Sequence, residues 1–314
     1  MILHENKTAF RELVKATSEQ LGIIPIFVEM DYWITYVLKN LHNSEFHNKV
    51  VFKGGTSLSK GYDLIKRFST DIDLAIVKGN DTSNNSIKTL IREIEKTICI
   101  GLTEIEDSDI TSKGSKFRKS VYKYPIIHEI ESANSIIIEI NSFYHPFPYQ
   151  QLEISSFIYR FLNSNSFENR VQEFGLTPFS VNVLDKRQTL VEKLVSLIRF
   201  SYDLGTIENI GNKIRHFYDL YYLMQDEECI AYVNSEAFKN DFVTILEHDR
   251  EVFDTPIGWQ TKKVQESPLI TNFSSIWSQL SVLYSRELER LSYSDIPNEK
   301  ELAENFEMIV SKIG

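Results

Sequence analysis

Residues 51–76 read VFKGGTSLSKGYDLIKRFSTDIDLAI. Two glycines, Gly54 and Gly55, precede Thr56 and Ser57. A short amphipathic piece follows, and then Asp71 and Asp73, one residue apart. "DIDLAIV" has the alternation of a strand. Side chains alternate along a strand, so the two aspartates point to one face and Ile72 to the other. Two carboxylates on one face repel unless a cation lies between them, and Mg²⁺, which prefers oxygen ligands, suits that place. A half-exposed edge strand with solvated acids accounts for the same pattern.

The first half of the stretch also reads two ways. Val50–Phe52 looks like a strand, and "SLSKGYDLIKRF" like a short helix with Gly61 as a weak point. A Gly-Gly-Thr-Ser turn between them can bring backbone N–H groups and two hydroxyls to anionic oxygens. It can equally be a tight turn with Ser57 as the helix N-cap. The spacing fits neither a GxxxxGK[ST] loop nor a GxGxxG fingerprint.

Working outward, residues 8–21, 27–42 and 84–99 carry helical periodicity, while "RKSVYKYPII" (118–127) and "SIIIEINSF" (135–143) read as strands. From residue 186 onward the chain reads as a series of helices. The expected fold is therefore α+β: a small mixed sheet flanked by helices over residues 1–150, a connecting region over 151–185, and a mainly helical domain over 186–314. Residues 254–268 form the longest stretch without periodicity.

At 314 residues, with 42% hydrophobic and 25% charged residues, the composition is that of a globular protein with a sizeable core. The two cysteines, Cys99 and Cys229, form no disulfide framework and no CxxC knuckle. "MILHENKTAF" lacks the apolar segment of a signal peptide, and "SIIIEI" is too short to span a bilayer. A cytoplasmic protein without membrane contact is the expectation. The net charge of -10 argues against coating nucleic acid by bulk electrostatics. A local patch remains possible at "KGSKFRKSVYK", where Lys113, Lys116, Arg118, Lys119 and Lys123 are interleaved with Phe117 and Tyr122. A solvated hairpin offsetting the acids of residues 104–109 explains it as well.

Taken together, the glycine turn and the DxD strand resemble the nucleotidyltransferase superfamily pattern. More narrowly, "EMDYWITYVLKNL", "FKGGTSLSKGYDLIKRFSTDIDLAI", "TLVEKLVSLIRF" and "KIRHFYDLYYL" resemble the AbiEii/MenT-type toxin nucleotidyltransferases over residues 29–225. The resemblance implies Mg²⁺ on Asp71 and Asp73, and a triphosphate held by Gly54, Gly55, Thr56 and Ser57. It implies Glu139 as a third acid, Ser69 as part of an S-x-D element, and Lys193 as a base pairing with phosphate. It implies Asp219 as the aspartate that orients the nucleotide or takes a proton. Arg67 is near enough in sequence to touch phosphate. Arg215 shares a helical face with Asp219 at i and i+4. Asp31 reads as a structural tie. The implied activity is transfer of a nucleoside monophosphate from an NTP to RNA, the tRNA 3′ end foremost, blocking translation, with a separate antitoxin encoded alongside. Transfer to a protein hydroxyl, or nucleotide binding without catalysis, are the alternatives.

Overall fold

The computed structural model describes residues 2–78, 84–106, 109–127, 134–143 and 146–313. The chain forms two compact units, Met1–Tyr62 with Phe68–Leu184, and Asp63–Arg67 with Asp185–Gly314. The second unit thus includes five residues from the middle of the opening stretch.

The first unit is built on an eight-stranded mixed sheet. Its strands are β1 (Val50–Lys53), β2 (Asp71–Ile76), β3 (Thr103–Ile105), β4 (Ser112–Lys113), β5 (Phe117–Lys123), β6 (Ser135–Asn141), β7 (Tyr149–Ile154) and β8 (Phe179–Leu184). The order is β3-β5-β6-β2-β1-β8-β7, with β4 also pairing with β5. β2 lies between antiparallel β1 and parallel β6. The sheet is larger than the small one expected. Residues 151–185, expected as a connection, supply β7 and β8 and two short helices instead.

Among the described residues this unit has the α-helices α1 (Lys7–Leu21), α2 (Pro25–His42), α3 (Gly54–Lys60), α4 (Asn84–Ile98), α5 (Phe157–Ser164) and α6 (Glu168–Glu173). Asn6 caps α1 by accepting a hydrogen bond from the Ala9 N–H, and Gly22, in the left-handed region, ends it. Pro25 opens α2, where a missing N–H costs nothing. On one face of the sheet Ile72, Leu74, Ile136, Ile138 and Ile140 are fully buried. Asp71, Asp73 and Glu139 occupy the other face, half-buried.

α2 carries Asp31 and Thr35 one turn apart, both buried. Their partner is Lys60, at the end of α3, whose ammonium donates to Asp31 Oδ1 at 2.6 Å, Thr35 Oγ1 at 2.7 Å and the Ser155 carbonyl at 2.7 Å. Asp31 Oδ2 accepts from the Phe157 N–H at 2.7 Å. Asp31 therefore ties α2 to α3 and to the start of α5. Burial pulls the Lys60 pKa down, and Asp31 offsets that.

The second unit contains α7 (Lys186–Phe200), α8 (Thr206–Gly211), α9 (Ile214–Leu223), α10 (Glu227–Val233), α11 (Glu236–Val252), α12 (Pro268–Thr271), α13 (Phe273–Leu291) and α14 (Glu299–Val310). Phe217 packs against Phe306 at 4.8 Å and Trp277 at 5.2 Å between ring centroids, joining α9, α13 and α14. The aperiodic stretch 254–268 holds two short 3₁₀ turns, Trp259–Thr261 and Val264–Glu266. It is anchored by buried Trp259, which donates to the Phe253 carbonyl at 2.9 Å. No single helix among the described residues is long and apolar enough to cross a membrane.

The expected helix "SLSKGYDLIKRF" is not one element. α3 starts earlier, at Gly54, and stops at Gly61. Asp63 then takes a positive φ of 53°. In the second unit the Lys66 carbonyl accepts from the Tyr293 N–H at 2.9 Å and the Ser292 hydroxyl at 2.9 Å. These bonds, one from backbone and one from a hydroxyl, fix Lys66 outside a helix, which local propensity cannot foresee.

Replacing Asp31 by Asn should strand the Lys60 ammonium in the core. We expect a loss of about 3–5 kcal/mol in urea unfolding. A Lys60→Met, Asp31→Leu double variant should lose clearly less, because no uncompensated charge remains.

Candidate active site

The pairing of β1 with β2 sets Lys53 opposite Asp73. Gly54 follows at once, with φ of 76°. A Cβ built on Gly54 would stand 2.1 Å from Asp73 Oδ2 and 3.2 Å from Asp73 Cβ. Glycine is required here twice over, for its backbone conformation and for the space that the carboxylate fills. The Thr56 hydroxyl donates to the Asp71 carbonyl, a second link between the turn and the strand. The two halves of residues 51–76 are thus one constellation.

The turn differs in detail from expectation. Gly54, Gly55, Thr56 and Ser57 form the first turn of α3 itself, with Lys53 rather than Ser57 at the N-cap. Thr56 and Ser57 are buried. The Thr56 hydroxyl hydrogen goes to Asp71, and the Ser57 hydroxyl donates to the Gly54 carbonyl at 2.9 Å. Their hydroxyl hydrogens are therefore committed to backbone. The Lys53 side chain makes no cap bond to the N–H groups of this first turn. Those N–H groups are the donors that remain for an anion.

Asp71 and Asp73 share the face that the strand alternation gives them, and the Thr70 hydroxyl lies 3.3 Å from Asp71 Oδ1. Ser69 is half-buried two residues earlier. Glu139 is the register partner of Asp73 on β6. Its carboxylate, however, pairs with Lys119 at 3.5 Å. Among the described residues no group of three or more His, Cys, Asp or Glu side chains is arranged to hold a metal. Glu139 thus stands beside Asp73, on the face of the acid pair, with Lys119 as its ion-pair partner. Two carboxylates beside a cradle that only glycine leaves open still suit Mg²⁺, which keeps waters and takes one or two carboxylates together with substrate phosphates.

The helical unit carries its own polar cluster. Arg67 Nε and Nη2 donate to Asp219 Oδ1 and Oδ2 at 2.7 and 2.6 Å. The Lys193 ammonium, on α7, lies 2.7 Å from Asp219 Oδ2. All three are deeply buried, at 3%, 8% and 0% exposure for Arg67, Lys193 and Asp219. Burial alone would push the Asp219 pKa up. The two cations hold its carboxyl well below the usual carboxylate range. A buried carboxylate so held in its charged form is a poor proton acceptor, which favours the orienting role among the two that the resemblance implied for Asp219. Its geometry is that of a counter-ion that fixes Lys193 and Arg67. Arg67 is likewise engaged by Asp219 through two nitrogens. Two cations against one carboxylate leave one excess positive charge.

Arg215 lies one turn before Asp219 on α9 but does not pair with it; it is half-buried and forms no ion pair among the described residues. His216 Nδ1 is buried without a hydrogen-bond partner among the described residues. Burial, with Lys193 and Lys213 adding to it, drives the imidazole pKa well below its usual value, so the ring is neutral.

The expected basic patch also divides. Register and alternation put Lys119 and Lys123 on the aspartate face of the sheet and Arg118 on the opposite face. Arg118 pairs with Glu95 and with Glu104, Lys113 pairs with Glu104 at 3.0 Å, and Lys116 precedes β5. The acidic run meant to offset these charges reaches residues 107 and 108, which lie outside the described residues.

Sequence reasoning missed the role of Lys60. Asp31 and Thr35 on an otherwise apolar helix face signal a buried partner, and Lys60 was the basic residue at hand.

The family of the AbiEii nucleotidyl transferase toxin, of type IV toxin–antitoxin systems, matches residues 36–310. The chain belongs to this family. Membership makes it a nucleotidyltransferase toxin and implies a nucleotide substrate and an antitoxin partner. Among solved structures it is similar to MenT4, a nucleotidyltransferase toxin from Mycobacterium tuberculosis H37Rv. The identity is 13%, the TM-score 0.50, and 96% of this chain and 98% of that chain are covered, a likeness of fold. No curated protein matches the sequence.

Two outcomes follow. Gly54→Ala should displace the Asp73 carboxylate and lower nucleotidyl transfer sharply, at a stability cost of about 1–2 kcal/mol from the left-handed backbone; parallel activity and thermal-unfolding assays check this. Asp219→Asn should cost about 3–5 kcal/mol at neutral pH, because Lys193 and Arg67 lose their counter-charge. The folded Asp219 pKa is depressed, so its stabilisation is complete above the ordinary carboxylate range and fades as pH falls below about 4. The difference between wild type and Asp219→Asn in urea should shrink over that acid window.

Proposed function

We propose that this member of the AbiEii family transfers the nucleoside monophosphate of an NTP to RNA, the tRNA 3′ end foremost, in a Mg²⁺-dependent reaction that blocks translation. The reading rests above all on the close approach of Gly54 and Asp73, which makes the glycine turn and the carboxylate pair one site. In the reaction the acceptor hydroxyl oxygen forms a bond to the α-phosphorus. The bond from that phosphorus to the β-phosphate oxygen breaks, pyrophosphate leaves, and the hydroxyl proton passes to water.

The residues divide this work. Asp71 and Asp73 would hold the cation, which when bound neutralises phosphate charge and favours the ionised form of the hydroxyl. The N–H groups of Gly54, Gly55 and Thr56 are donors for phosphate oxygens. Lys193 pairs with the triphosphate through the ammonium hydrogens that Asp219 does not take. Arg67 and Asp219 act through Lys193, by fixing its position and supplying the local excess of positive charge. Arg215 is the further cation for phosphate. Ser69 borders the entrance to the DxD strand and is assigned to the same phosphate region. Glu139 neutralises Lys119. Catalysis in this scheme comes from positioning and charge stabilisation, without a protein general base. The antitoxin encoded alongside acts on a protein expected in the cytoplasm.

The test is incubation of the purified protein with each α-labelled NTP, Mg²⁺ and separate RNA and protein fractions. Label should enter RNA at its 3′ end. Asp71→Asn or Asp73→Asn should reduce incorporation by about 10²-fold or more with unchanged thermal midpoints. Label confined to protein would replace RNA as acceptor, and near-normal transfer by both variants would remove the mechanism.

A further inference from the structure

On the face of the sheet opposite the aspartates there is a polar cavity, of about 620 Å³. It lies between α4 and the strands β3, β4 and β5. Arg92, Lys96, Lys113 and Arg118 line it together with Glu95 and Glu104. Four cations against two carboxylates give the cleft a net positive charge in a chain of net charge -10. Arg118 and Lys113 are tied to the carboxylates, as described above. Arg92 and Lys96 are exposed and form no ion pair among the described residues. They lie one turn apart on α4, so they share a face.

Glu95 adds a second observation. It is 4% exposed and holds Arg118, yet its Oε1 is buried with no hydrogen-bond partner among the described residues. A buried carboxylate oxygen without a donor is unfavourable. The terminal torsion of Glu is broad, so a small rotation can offer that oxygen to a ligand. Cys99, Leu102 and Tyr122 supply a less polar lining alongside. A ligand that satisfies the whole cleft carries an anionic group for Arg92, Lys96 and Lys113. It also carries an N–H donor for Glu95 and a flat, partly apolar body. Free phosphate offers only the first of these. The volume is that of an ordinary small-molecule site.

We propose that this cleft is a nucleotide-binding site, separate from the transfer site, that takes a phosphate on Arg92, Lys96 and Lys113 and a base N–H on Glu95. The same chemistry is presented by a free mononucleotide and by one unit of a single-stranded RNA. Neither source depends on which acceptor the transfer reaction uses.

The experiment compares binding to the full chain of AMP, CMP, GMP, UMP and inorganic phosphate by calorimetry. In parallel, a fluorescein-labelled single-stranded oligoribonucleotide is followed by anisotropy at several salt concentrations. The Arg92→Glu, Lys96→Glu double variant changes only exposed side chains and should keep its thermal midpoint. It should weaken nucleotide or oligonucleotide binding at least tenfold and lower the oligonucleotide salt slope by about 1. Glu95→Gln should weaken nucleotides several-fold and leave phosphate unaffected. Loss for mononucleotides identifies the free nucleotide as occupant, and loss for the oligonucleotide alone identifies RNA. Any of three results overturns the proposal: no binding to the wild type, equal binding of inorganic phosphate and nucleotides, or unchanged binding by the double variant.

Discussion

Everything in the first unit that bears on chemistry depends on one close approach, the Asp73 carboxylate against the Cα of Gly54. Antiparallel pairing of β1 and β2 sets the register, and any side chain at position 54 would occupy the space of the carboxylate. The constraint is steric, and it explains why the first helical residue after the Lys53 cap is glycine. The helix start sets its N–H groups near a carboxylate pair: donors for an anion beside acceptors for a cation. A nucleotide with its metal is one ligand that needs both.

The helical unit solves a different problem. A lysine buried alone loses its proton readily, and a buried arginine without a partner is costly. Asp219 removes both difficulties by accepting from Arg67 and Lys193 together. The cost of removing the carboxylate from water is offset by two cations, and the cluster remains positive. Charge is thus held in a dry place in fixed geometry, which is the condition under which it acts most strongly on a phosphate.

Much of this was legible in the sequence. The DxD alternation put Asp71 and Asp73 on one face, and the resemblance singled out Lys193 and Asp219 before any partner was known. Asp31 was named as a tie with the family phrase that contains it, and Lys60 proves to be its partner. What was not legible depended on contacts between distant segments. Glu139 was singled out by the resemblance and by its isoleucine neighbours, but the Lys119 that cross-strand pairing brings beside it was not. Arg215 looked like the natural partner of Asp219 at i and i+4, yet a bidentate arginine from 152 positions away took that place. The basic run 113–123 looked like one surface, although a strand's period of two sends neighbouring charges to opposite faces. The helix expected through Arg67 failed because backbone bonds to Ser292 and Tyr293 outweighed a helix already ended at Gly61.

The five residues Asp63–Arg67 have a consequence for how the protein is made. They belong to a unit whose remaining residues begin at Asp185. During synthesis the Arg67 guanidinium emerges 152 residues before Asp219. At ribosomal rates of about 5–20 residues per second, that is a wait of roughly 8–30 s. Through this interval Asp63–Arg67 lacks the partners Asp219, Ser292 and Tyr293 that hold it in the finished protein. The start of α3 and the DxD strand can pair with each other, while the loop that joins them stays unfixed. The helical unit is therefore the last part of the chain to acquire its structure, and Arg67 is fixed only when it does.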